Sequence, residues 1–174
     1  MAALIVLRGN SGSGKSTVAT ILRPLVDGAW IEQDHFRRVI LGEAGAYSPL
    51  SVDLIEQAAA VCLAGGRTVI LDGIFNAAKY SASLGRLRDG HPGPSLFYAF
   101  DLSFEETLRR HGQRPGKSSD FGEEEMRGWF NGWDPLEGIL EQRITAAESA
   151  EGIAQRILAD LRGGPDHQGN DDDG

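Results

Sequence analysis

The chain has 174 residues, 41% of them hydrophobic, and a formal net charge of −8, which is enough apolar material for one core and too little length for two ordinary domains. A binder of long DNA or RNA would carry a basic stripe to displace phosphate counterions, and the acidic balance argues against that class. The lone cysteine, Cys62, excludes an internal disulfide framework and lies in the apolar run Ala58–Leu63, where burial is expected rather than reactivity.

From Met1 the chain runs straight into Ala3–Leu7, an apolar segment with the character of a buried strand. No basic or long apolar leader precedes it, and no stretch is long enough to span a bilayer, so a cytoplasmic protein is expected. Gly9-Asn10-Ser11-Gly12-Ser13-Gly14-Lys15-Ser16 follows, with Thr17 next and a helical pattern from Ser16 to Val26. Strand, glycine-rich loop with Lys-Ser, then helix is the context in which backbone N–H groups curl around nucleotide phosphates at a helix N-terminus. The spacing assigns Gly9 to Thr17 to ATP, Lys15 to the β and γ phosphates, and the Ser16 hydroxyl to Mg2+.

Ala29–Gln33 reads as a second strand ending at Asp34. A helix is expected from Leu50, with Leu54, Ile55, Ala58, Val61 and Cys62 at helical spacing, stopped by Gly65-Gly66. Thr68–Leu71 is a third strand ending at Asp72-Gly73, followed by a helix over Ala77–Arg88 and a loop over Asp89–Pro94. Leu96–Phe100 makes a fourth strand, and Ser103 to Glu106 is a capping-box pattern that opens a helix through His111. A polar, glycine-rich stretch from Gly112 to Gly122 precedes a helix over Glu123–Trp129. Gln142–Thr145 reads as a short strand, and Ala150 to Leu161 as a closing helix with one apolar face.

Strands alternating with helices, and nearly continuous in hydrophobicity, imply an α/β fold: a parallel sheet covered on both faces. Residues 1–163 form one expected domain. Residues 164–174 lack apolar side chains and carry Asp166 and Asp171–Asp173, so a disordered acidic tail is expected, leaving 17 basic against 21 acidic residues in the body. Ligands of such sheets bind beyond the carboxyl ends of the strands, where Gly9, Asp34, Asp72 and Asp101 fall.

The length excludes the extra elements of a motor, and no Asn-Lys-x-Asp guanine signature occurs; a small kinase remains. Phosphoryl transfer asks for an oriented nucleophile and charge neutralisation. Asp34 could accept the proton of an acceptor hydroxyl, or it could cap the helix that starts at His35. Arg37, three residues on, could bind an anionic group of the substrate or the Asp34 carboxylate. Asp72 could hold Mg2+ or a substrate hydroxyl, or serve an Asp-Gly turn, while Asp101 suits the start of the helix after Ser103. In Arg109–Lys117, Arg110 and Arg114 could close over the phosphates as a lid, or the segment could be a solvated helix end. Trp129, Phe130 and Trp133 could wall an acceptor ring or simply pack. The four histidines have no zinc spacing.

On these motifs the chain resembles the small P-loop kinases that include 5′-hydroxyl polynucleotide kinase domains, zeta-toxin sugar-nucleotide kinases and chloramphenicol phosphotransferases. The likeness runs over roughly residues 3 to 162. Asp34-His35-Phe36-Arg37 is similar to the D-x-x-R element of polynucleotide kinases, Arg110 to Arg114 to their R-x-x-x-R lid, and Asp72 to a position that such kinases use for acceptor or metal contacts. The resemblance implies a five-stranded P-loop NTPase sheet in the order 2-3-1-4-5 with an arginine-bearing lid. It implies an ATP- and Mg2+-dependent phosphotransferase in which Lys15, Asp34, Arg110 and Arg114 are catalytic, Arg37 and Asp72 bind substrate, and Ser16 and Asp72 hold the metal. The expected acceptor is a small molecule with a hydroxyl, such as a nucleoside, sugar or natural product. Alternatives are a 5′-hydroxyl oligonucleotide kinase, a zeta-like toxin kinase and an ATP-sensing regulatory module.

Overall fold

The computed structural model describes residues 1–43, 48–113 and 122–163. Its centre is a five-stranded, wholly parallel sheet in the order β2-β3-β1-β4-β5: β1 is Leu4–Gly9, β2 Ala29–Glu32, β3 Val69–Gly73, β4 Ser95–Phe100 and β5 Gln142–Ile144. Because side chains alternate across a strand, Leu4 and Val6 of β1 point to one face while Ile5 and Leu7 point to the other. Helices α2 (Pro49–Ala64) and α3 (Ala77–Asp89) cover the first face through Val52, Ile55, Ala59, Tyr80 and Leu84. Helices α1 (Lys15–Val26) and α6 (Ala150–Gly163) cover the second through Val18, Leu22, Ile153 and Ile157. Two apolar layers thus hold β1 and β3 out of water, which explains why these strands read as continuous apolar runs.

Helices α4 (Phe104–Gly112) and α5 (Glu123–Trp129) contact each other, and α4 packs against the loop between β1 and α1 at Gly12. The Ser103 hydroxyl caps α4 by accepting from the Glu106 N–H at 3.2 Å, but the Glu106 carboxylate turns to Arg109 and Arg110 instead of closing the capping box. Asp101 was expected to serve this helix start; it pairs with Arg143 on β5 instead.

The segment after Asp34 departs from the α-helix expected there. His35–Ile40 is a π-helix, with the Leu41 N–H donating to the Phe36 carbonyl five residues back at 3.0 Å. Such wide turns are rare and concentrate at functional sites. Arg37 and Arg38, three and four residues on, both lie beside Asp34. Arg114 and the proposed tail, residues 164–174, lie outside the described residues.

Candidate active site

The loop between β1 and α1 is shaped by its backbone. Gly12 has φ +78°, and a Cβ there would lie 2.5 Å from the Thr107 carbonyl oxygen of α4. Gly14, the residue before α1, has φ +105° and provides no side-chain cap. Both conformations belong to glycine, and a helix N-terminus without a side-chain cap can offer its leading N–H groups to an anion. The Lys15 ammonium curls over the loop, donating to the Asn10 carbonyl at 3.0 Å and the Ser13 hydroxyl at 3.3 Å.

Arg110 reaches this loop from α4. It donates to the Ser13 carbonyl at 2.9 Å and the Ala146 carbonyl at 3.3 Å, while Glu106 receives its Nε at 2.6 Å. The Arg109 and Arg110 guanidiniums hold the Glu106 carboxyl down at about 2, well below its usual range. Arg109 spends its donors on Glu106 and Gln113 rather than on the loop. Beyond Arg110 a cavity of about 220 Å3, lined by Gly14, Thr17, Val18, Phe100, Gln113 and Glu148, offers apolar and polar walls on the α1 side.

On the opposite side a cleft is lined by Ser11, Gly12, Lys15, Ser16, Glu32, Asp34 and Asp72. Asp72 is buried and paired in register with Glu32 across β2 and β3. Sequence reasoning missed Glu32, the last residue of β2, which lines the cleft because it ends a strand beside Asp72. Among the described residues no cluster of three or more His, Cys, Asp or Glu could hold a metal unaided. Hydroxyl and carboxylate oxygens from Ser16, Asp72 and Glu32 nevertheless suit Mg2+, which takes one or two carboxylates and fills its shell with water and phosphate oxygens.

The cleft shares Ser11, Gln33, Asp34 and Ile74 with a deeper cavity of about 230 Å3, also lined by Arg37, Arg38, Asn76, Lys79, Tyr80, Trp129 and Asn131. The Asp34 side chain makes no helix-cap hydrogen bond; its carboxylate accepts from Arg37 at 3.3 Å and lies 3.8 Å from Arg38. Of the three aromatic residues noted in the sequence, only Trp129 lines this cavity, with the Arg38 guanidinium 5.7 Å from its ring centroid. Phe130 packs edge-on against Phe104, and Trp133 lies under Arg143.

A buried charge network fixes the walls. Arg8, 4% exposed, binds both oxygens of Glu141, at 3.0 and 2.8 Å, reaches Asp134 at 3.3 Å, and donates twice to the Phe75 carbonyl. Phe75 is fully buried with φ +43°, a conformation L-residues rarely adopt, and the Arg8 bonds to its carbonyl oppose relaxation. Asp134 in turn accepts from the Ala77 N–H at 2.8 Å, capping α3 from a distant segment. The Asn10 side chain joins the loop to the same segment: Oδ1 accepts from the Asn131 N–H at 2.8 Å and Nδ2 donates to the Gly132 carbonyl at 3.1 Å. None of Arg8, Glu141 or Asp134 was singled out from sequence. A charge ending the apolar run of β1 marks Arg8 as unusual, but its partners stand more than a hundred residues away.

A family described as AAA domain matches residues 4–132 of the chain. No curated protein sequence matches significantly. Among solved structures, the chain is similar to the APS kinase of Mycobacterium tuberculosis, solved with AMPPNP and APS, at TM-score 0.74 and 17% identity over 92% of this chain and 98% of that one. It is similar to a gluconokinase from Sinorhizobium meliloti 1021 at 0.66 and 20% over 92% and 91%, and to the shikimate kinase of Aquifex aeolicus at 0.55 and 20% over 92% and 96%. These likenesses establish the P-loop kinase fold.

Proposed function

The chain belongs to the family described as AAA domain, and from that premise we propose that it is an ATP- and Mg2+-dependent kinase that phosphorylates a hydroxyl group of a small molecule. The observation that carries this reading is the continuity of the Lys15 cleft with the Arg37 cavity through Ser11 and Asp34. A donor phosphate on the loop and an acceptor in the cavity would then meet at one carboxylate.

In the proposed reaction Asp34 accepts the proton of the acceptor hydroxyl as its oxygen bonds to the γ phosphorus. The bond from that phosphorus to the β–γ bridging oxygen breaks and ADP leaves. Lys15 and Arg110 neutralise charge on the transferring group, and Arg114 is the further lid arginine proposed from sequence. Gly9 to Thr17 bind the phosphates through main-chain N–H groups, and the base lies in the cavity beside Thr17 and Phe100. Ser16 and Asp72 would hold Mg2+, which when bound supplies further neutralisation of the phosphate oxygens.

Incubation with MgATP and a panel of sugars, nucleosides, hydroxy acids and antibiotics, read by mass spectrometry, tests the proposal. A product heavier by one phosphoryl group is expected. Asp34→Asn should abolish it with nucleotide binding retained, whereas Lys15→Ala should lose both. Failure of the wild-type chain to bind MgATP would overturn the reading.

A further inference from the structure

The acceptor cavity carries a charge excess that a plain hydroxyl does not need. Its lining includes three cations, Arg37, Arg38 and Lys79, against a single carboxylate, Asp34, in a chain whose net charge is −8. None of the three lines the Lys15 cleft. Donor phosphates are therefore met by Lys15 and Arg110 from one side, and the three cations face the other.

Arg37 is the most telling of them. It is 4% exposed, yet its bond to Asp34 is 3.3 Å long, stretched for a charge-assisted pair. Its Nε is buried without a hydrogen-bond partner among the described residues. A guanidinium has five donors, and leaving any of them dry is costly. Arg38 is steadied over the Trp129 ring, and Lys79 stands on α3, whose start is held by Asp134 and through it by Arg8. The cations thus come from two separately anchored walls. Neutral groups complete the lining: Gln33 is locked by the Ile74 N–H and the Tyr80 hydroxyl, and the Asn76 side chain makes no helix-cap bond. The volume, about 230 Å3, falls below the range of drug-sized sites, roughly 300–1,000 Å3.

We infer that the acceptor is a small polyhydroxylated anion, bearing a carboxylate, phosphate or sulfate that binds between Arg37, Arg38 and Lys79 while one of its hydroxyls is presented to Asp34. The inference rests on the kinase reading for the transfer step only; the anion site stands on its own geometry.

The test uses the full-length chain saturated with Mg2+ and a non-hydrolysable ATP analogue, so that the loop at Lys15 cannot itself capture the anion. Glucose, gluconate and glucose 6-phosphate, and a nucleoside with its 3′-monophosphate, are titrated by calorimetry at constant ionic strength, then offered with MgATP as acceptors. At least one anionic member should bind about tenfold or more tightly than its neutral partner, as expected for charge-assisted bonds. In Arg38→Gln and in Lys79→Gln that preference should collapse, through KM rather than kcat if the compound is also phosphorylated. Both residues are on the cavity surface, and retained affinity for the ATP analogue reports that each variant is folded. Anion binding without transfer would sink the kinase reading and keep this one. Equal or better binding and transfer of the neutral members, or no anionic binding at millimolar concentration, overturns the inference while leaving the kinase intact. Transfer confined to a 5′-hydroxyl oligonucleotide, with no monomeric anion accepted, also overturns it.

Discussion

The two sides of the Asp34 carboxylate are built in opposite ways. The proposed donor side is a contiguous stretch, Gly9 to Thr17, which Arg110 reaches from α4. The proposed acceptor side is collected from the π-helix after β2, the β3–α3 turn, and Trp129 and Asn131, and is held together by bonds spanning more than a hundred residues. A contiguous site survives most changes outside it. A collected one depends on the buried ties that bring its pieces to one place.

The largest expected effect strikes those ties. Arg8→Met should cost about 3–5 kcal/mol, because it strands the buried Glu141 carboxylate; urea unfolding measures it, and adding Glu141→Leu should recover part of the loss. On the proposed donor side, Arg110→Gln should lower kcat about 10²–10³-fold, as for other preorganised donors to a transition state, whereas Arg109→Gln, which bonds to Glu106 and Gln113 rather than to the loop, should stay near wild type. Equal losses in both variants would show that contact with the loop does not decide the effect. Asn10→Ala removes the two half-buried hydrogen bonds to Asn131 and Gly132 that join the two sides, at about 0.5–1.5 kcal/mol each. Acceptor KM should rise more than nucleotide KM, and a reversed order would place Asn10 with the donor alone.

The smallest effect is one of pH. The Glu106 carboxyl is held at about 2 in the folded chain, below its unfolded value, so the stability it contributes is present above roughly pH 4.5 and is lost as pH falls toward 2. Wild type and Glu106→Gln should therefore differ most near neutrality and converge in acid, which urea midpoints across that range would show.

The same contrast explains what could be read from the residues. The glycine loop, the strand ends and the parallel sheet follow from local spacing and apolar runs, because each is dictated by neighbours in sequence. Two roles for Asp34 stay open in the sequence, since a cap and a base share one residue type; in the fold its side chain makes no helix-cap bond and pairs with Arg37, and its role as base is proposed. Lys79, Arg38 and Asn131 were unreadable as cavity residues because nothing near them in the chain indicates what they face. The π-helix was equally hidden: Phe36, Val39 and Ile40 fit ordinary helical spacing, and only the hydrogen bond from Leu41 to Phe36 reveals the wider turn.

The double bond made by Asn10 bears on how portable the nucleotide loop is. Its eight-residue signature tolerates any residue at this second place, yet here the amide imitates a stretch of main chain and grips Asn131 and Gly132. Grafting a loop from another P-loop protein, with alanine or valine at that place, would preserve the phosphate cradle and unhitch the far wall of the molecule. What looks in sequence like an interchangeable module is, in this fold, fitted to its host.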